Sequence, residues 1–147
     1  MGVAILAGEN GHETLDYSNC VTTPATLPFT ERLLLLGQAF ESLLKKYSPD
    51  LVALERLFFT TNQKTASAVS EVRGMLLYLA TKQRIKIVEY TPLEIKSTIT
   101  GYGKATKSQV TAMVTKLMKL NTPLKYDDEY DAIALGLTAL ARIRLTA

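Results

Sequence analysis

Cysteine and histidine are scarce in this 147-residue sequence, one of each (Cys20 and His12), and tryptophan is absent. A lone cysteine excludes an internal disulfide and fits a reducing, cytoplasmic setting. Cys20 itself reads as a small strand residue. With only His12 beside it, a zinc constellation is excluded as well. No apolar run reaches the ~18 residues that a membrane span needs, so a soluble chain without a membrane partner is expected. The opening MGVAILAGEN has neither a basic leader nor a cleavage site, which argues against a signal peptide. Repeats, linkers and low-complexity tracts are absent too. One domain over residues 1–147 is expected, long enough for a sizeable core.

A more local scarcity concerns acids. The net charge is only +3, yet residues 95–126 carry six lysines (Lys96, Lys104, Lys107, Lys116, Lys119 and Lys125) and no carboxylate. The next five residues, Asp127-Asp128-Glu129-Tyr130-Asp131, hold four. A basic stretch beside an acidic knot suggests a polyanionic partner, with a metal to reconcile the two charges.

Apolar patterning orders the elements. Residues 2–8 and 14–23 flank an Asn-Gly and read as an antiparallel hairpin, the second strand ending before Pro24. Pro28-Phe29-Thr30 opens a helix whose Leu33, Leu36, Phe40, Leu43 and Leu44 share one face, ending near Ser48-Pro49. Residues 50–57 form a strand. Residues 62–81 form a second helix, with Val69, Val72, Leu76 and Leu79 on one side. Its small flank of Ala66, Ser67, Ala68, Ser70 and Gly74 suits close packing in the core or across a dimer. A strand over 84–90, a short helix over 92–99, a basic loop Gly101-Tyr102-Gly103-Lys104 and helices over 106–120 and 126–145 complete one α/β domain.

Two places carry chemistry. LVALERLFFTTN puts a carboxylate, Glu55, at the end of an apolar strand, where leaving it without a partner is costly. Asp128 and Asp131, three apart at a helix start, project from one face. Asp127 or Asp128 could instead cap that helix. Asp131 begins the apolar run AIALGLTAL and is therefore expected near the core. A strand-end Glu with two helix-start Asp residues is an inventory suited to Mg²⁺, which binds through a few carboxylates and retained waters. Two such ions about 4 Å apart would activate a water and stabilise the leaving oxygen of a phosphodiester.

Four blocks in order, ALERLFFTTN, the helix ending in EVRG, VEYTPLEIKSTITGYGKATKSQV and DDEYDAIALG, span nearly all of the chain. Through them the sequence resembles the RuvC family of bacterial Holliday-junction resolvases, in the RNase H-like nuclease superfamily. The resemblance implies an RNase H-like mixed sheet flanked by helices. It implies that Glu55, Asp128 and Asp131 hold Mg²⁺, with two ions per subunit, and that Lys107 lies near the scissile phosphate. Lys96 matches a DNA-facing basic residue. Lys104, in the same stretch, is a further DNA-facing candidate or a solvated surface residue. Phe58 matches an aromatic that stacks on a base at the opened junction, unless it is a core residue that has exchanged roles with Phe59. The helix over 62–81 would join two copies into a homodimer. The implied substrate is four-way junction DNA, nicked symmetrically to leave 5′-phosphate and 3′-hydroxyl ends, with the RuvA–RuvB branch-migration complex as a further partner.

One element of the family pattern is missing. The family opens on a strand bearing Asp-Pro-Gly, then Thr-Gly-x-Gly; here Met1-Gly2-Val3 align with the end of that second piece. The first strand, central in RNase H-like sheets, and its catalytic aspartate are therefore absent, and Glu9, Glu13 and Asp16 sit at the wrong hairpin positions to replace it. An N-terminally truncated reading of a longer gene is expected, one metal site weakened and the chain catalytically impaired. The alternatives are an inactive junction-binding dimer, or an RNase H-like nuclease with another substrate.

Overall fold

The computed structural model describes residues 1–9, 11–56 and 63–146. An antiparallel hairpin opens the chain, β1 (Gly2–Glu9) running against β2 (His12–Cys20) from Gly2↔Cys20 to Glu9↔His12. Its turn contains Gly11 at φ +86°, as the Asn-Gly pattern requires. The register shifts between Ile5 and Leu6, which face Tyr17 and Leu15, so Asp16 bulges out of the ladder. β2 stops at Cys20 rather than at 23, because its partner strand ends opposite Cys20. β3 (Leu51–Glu55) and β4 (Lys86–Tyr90) make a second ladder. The mixed sheet implied by the resemblance is thus present as two separate ladders, with no described strand hydrogen-bonded between them.

The helices are α1 (Phe29–Tyr47), α2 (Gln63–Lys82), α3 (Pro92–Thr100), α4 (Lys107–Leu117) and α5 (Asp127–Thr146). The chain divides into two compact units, one of Val21–Val52 and Arg56–Val88, the other of Met1–Cys20, Ala53–Glu55 and Glu89–Ala147. In the first, α1 packs on α2 and buries Phe40 and Leu44, the centre of the face that its leucine spacing marks out. Its last turn closes on Ser48, whose N–H donates to the Leu44 carbonyl at 2.9 Å. Lys82 reaches Glu41 at 3.7 Å, a solvated pair of small energetic weight.

The second unit holds the larger core. Ile99 of α3, Ala105, Val110 and Val114 of α4, and Tyr130, Ile133, Ala134 and Leu137 of α5 are buried together. Ala4, Leu6 and Leu15 of the hairpin pack against them. Both short helices start on reciprocal capping boxes, Thr91 with Glu94 and Thr106 with Gln109, which satisfy backbone donors at each N-terminus. α4 stops at Leu117, short of 120, because Lys119 turns left-handed (φ +51°) and Leu120 N–H closes back on the Thr115 carbonyl.

α5 starts in an unexpected way. Neither Asp127 nor Asp128 serves as its cap: the Tyr126 N–H donates to Glu129 Oε1 at 3.2 Å. Glu129 is buried, only 5% exposed, and its Oε2 accepts the Ser18 hydroxyl of β2 at 2.7 Å. One carboxylate therefore ties the helix start to the hairpin. Glu129→Ala is expected to cost about 2 kcal/mol by stranding two donors, read in a thermal melt as a Tm lower by about 5–8 °C.

Candidate active site

The candidate residues Glu55, Lys107, Asp128 and Asp131 all belong to the second unit. Glu55 is the last residue of β3, at the end of the apolar run 51–54. Asp127, Asp128 and Asp131 stand in the first turns of α5, where the helix dipole favours carboxylates. Lys107 is the first residue of α4, placed there by the Thr106–Gln109 box.

The lysine joins two elements. Lys107 Nζ lies 3.5 Å from Asp131 Oδ2 and 3.6 Å from Asp127 Oδ2. The Asp131 charge, chiefly, raises the lysine above its usual 10.5; loss of hydration opposes it, and Asp127 adds to the rise, so the lysine is a cation across the working range. All three side chains are more than half exposed, which limits what the pairs add to stability and leaves them free to exchange partners.

Glu55 titrates above its ordinary 4.5, firstly because the surrounding protein strips part of its hydration and secondly because the Asp131 carboxylate repels its charge. Two like charges brought into electrostatic reach from a strand end and a helix start are a liability to the fold and an opportunity for a cation. Asp128 lies one turn back from Asp131, its Oδ2 3.4 Å from Cys20 Sγ. β1 approaches this helix start so closely that a Cβ on Gly2 would run into the Asp128 carbonyl oxygen.

The donors are all carboxylate oxygens, the chemistry a hard divalent ion prefers, and Mg²⁺ asks for only one or two of them beside its waters and a phosphate. Glu55 and Asp131, close enough for one charge to act on the other, would be such a pair. A three-ligand cage is a different matter: among the described residues no three His, Cys, Asp or Glu side chains stand together as a metal cluster.

Asp131 differs from its expected placement. It is exposed rather than near the core, because the buried stripe of α5 runs through Tyr130, Ile133, Ala134 and Leu137, centred about 110° around the helix from Asp131. Lys96 is half-buried on α3, and Lys104 is exposed on the loop before α4. Phe58 and its neighbour Phe59, as well as Asn62, lie outside the described residues. Glu129 was missed by sequence reasoning, though Glu three residues after Tyr126 is half of a capping-box pattern.

The chain superposes on the solved structure of Thermus thermophilus RuvC with a TM-score of 0.86 and 26% identity, covering 99% of this chain and 88% of that one. It matches T. thermophilus RuvC in complex with Holliday junction substrate with a TM-score of 0.92, 25% identity and the same coverage. The fold is thus of the RNase H-like class, with Lys107 paired to Asp127 and Asp131 in its second unit. Residues 1–139 match the family described as crossover junction endodeoxyribonuclease RuvC. The proteins of that name from Halothermothrix orenii and Ruminiclostridium cellulolyticum are 40% identical over 138 residues and 43% over 128. The first match covers 93% of this chain and 83% of its relative, the second 87% and 76%. The chain belongs to the RuvC family.

Proposed function

We propose that this protein is a crossover junction endodeoxyribonuclease, a hydrolase that resolves four-way DNA junctions in recombination and repair. The observation that carries this reading is the grouping of Glu55, Asp131 and Lys107 in a chain of this family. Glu55 and Asp131, with Asp128 adjoining, would hold Mg²⁺. A bound divalent ion supplies water activation and neutralises charge on the phosphate. Lys107 offers a cation that needs no reorganisation as negative charge builds on the phosphodiester. Lys96 and Lys104, from the acid-free stretch 95–126, would add contacts to the DNA backbone, and Phe58 is assigned to base stacking at the opened crossover.

Symmetric cutting calls for two copies of the site, and a homodimer through α2 is the arrangement favoured here. Val69 and Tyr78 are exposed on that helix, and the space in front of Gly74 is open. The RuvA–RuvB complex is the natural supplier of junctions to such a dimer, in the cytoplasm. Among the described residues no helix is long and apolar enough to cross a membrane.

The test is a substrate panel with Mg²⁺: duplex, DNA–RNA hybrid, flap and four-way junction. Paired nicks in strands of like polarity, confined to the four-way junction and lost steeply with added salt, are expected. Preferential cutting of a hybrid would reassign the chain to another branch of the superfamily. Tight junction binding without cutting under any condition would reduce it to a junction-binding protein.

A further inference from the structure

Tyr102 stands in the loop between α3 and α4, five residues before Lys107, and its side chain is 58% exposed. Exposed tyrosines are common, and exposure alone means little. The backbone beneath this one is unusual in how firmly it is held. Its N–H donates to Thr100 Oγ1 at 3.1 Å, and its carbonyl accepts the Ala105 N–H at 3.0 Å. Thr100 Oγ1 also lies 3.1 Å from that carbonyl. On one side α3 ends in Gly101, left-handed with its N–H on the Ser97 carbonyl; on the other, Ala105 is buried in the core. Gly103 lets the loop settle on Leu93, since a Cβ there would stand 3.1 Å from Leu93 Cγ.

The loop is therefore a rigid mount. It presents an apolar ring to solvent, with Leu93, 61% exposed, on α3 beneath the loop. Its chemical setting points to the occupant. Lys96, Lys104 and Lys107 flank it in sequence, and no carboxylate occurs from 95 to 126. A flat apolar face in a stretch whose own charges are all cationic, with Lys107 at its end paired to Asp127 and Asp131, suits a polyanion built of flat rings, and suits a protein or a lipid surface less.

We propose that Tyr102 is a nucleotide-contacting residue, its ring face packing on a base of the bound junction beside the cut site. This deepens the reading of the chain as a junction enzyme and rests on it. The contact is made by the ring rather than the hydroxyl, so phenylalanine serves in its place and alanine does not. It releases no counterion, so it changes affinity without changing salt dependence.

Binding of a fluorescent four-way junction by the full chain, with Ca²⁺ in place of Mg²⁺, tests this across a salt series. Tyr102→Ala is expected to weaken binding about tenfold or more, at an unchanged slope of log affinity against log salt, while Tyr102→Phe stays within about twofold of the parent. Because the ring is exposed, both variants should melt with the parent. Equal binding by Tyr102→Ala would overturn the proposal, and so would a loss in Tyr102→Phe as large as in Tyr102→Ala. If the parent chain itself bound no junction, the functional reading would fall and this contact with it; parent binding with an indifferent Tyr102→Ala would sink the contact alone.

Discussion

Glu55→Gln is expected to lower junction cleavage about 10³-fold while leaving junction affinity within about twofold of the parent. The size follows from what the carboxylate does in the proposed site. Holding a divalent ion against a phosphodiester is worth several kcal/mol of transition-state stabilisation, and about 4 kcal/mol is a factor near 10³. Gln keeps the shape and one oxygen but removes the charge, so DNA is no longer repelled at that point and affinity does not suffer. Cleavage at the parental rate would remove Glu55 from the reaction.

A thermal melt separates this result from unfolding, and the charge state of Glu55 sets the expectation. Its pKa is raised in the folded protein, by burial first and by Asp131 second. The folded state thus favours the protonated acid, and the penalty of ionising Glu55 appears as pH rises through that raised value. Glutamine carries no such penalty. Glu55→Gln should therefore be at least as stable as the parent at neutral pH, by under about 1 kcal/mol given the exposure of the group. The advantage should vanish below about pH 4, where an unfolded glutamate is also protonated. A variant that melts slightly higher and cuts a thousandfold slower is the signature of a residue kept for chemistry rather than for the fold.

Lys107→Met should reduce kcat about 10²-fold, the usual effect of losing one fixed donor to developing negative charge. Lys107 Nζ is shared between Asp127 and Asp131, so it stays poised at the carboxylate pair without being committed to either. Its pKa is raised, chiefly by Asp131, so the stability its charge contributes is present below pH 10.5 and is lost only as pH rises through the folded value. No break in a neutral pH–rate profile should trace to this lysine. Arginine, with a longer planar fork, is expected to recover kcat only in part. If Lys107→Met left kcat unchanged and only weakened binding, with a salt slope smaller by about one, the lysine would be a backbone contact and no more.

The order of elements was legible in the chain because local patterns specify it. The leucine spacing over 33–44 placed α1 and its buried face, and Asn10-Gly11 announced the hairpin. The ends were less legible. β2 stops where its partner strand stops, and α4 stops where Lys119 turns left-handed, neither of which a periodicity reports. Among the candidates, Glu55, Asp128, Asp131 and Lys107 were found by residue type, spacing and resemblance. A lysine after a glycine-rich loop and an aspartate in a helix start look no different in sequence from solvated surface residues.

Tertiary structure alone decided how those residues sort. Four carboxylates in five positions are nearly equivalent on paper, but α5 lies against the hairpin through Tyr130, Ile133, Ala134 and Leu137, and that docking sets the azimuth of every neighbour. Glu129 turns inward to Ser18, Asp128 turns towards Cys20, and Asp127 and Asp131 turn outward to Lys107. The sequence by itself determined which elements form and which ionisable groups are available. Rotation of a helix about its own axis is set by long-range packing that no local spacing encodes, so only the folded chain could decide which acid is buried and which faces the lysine.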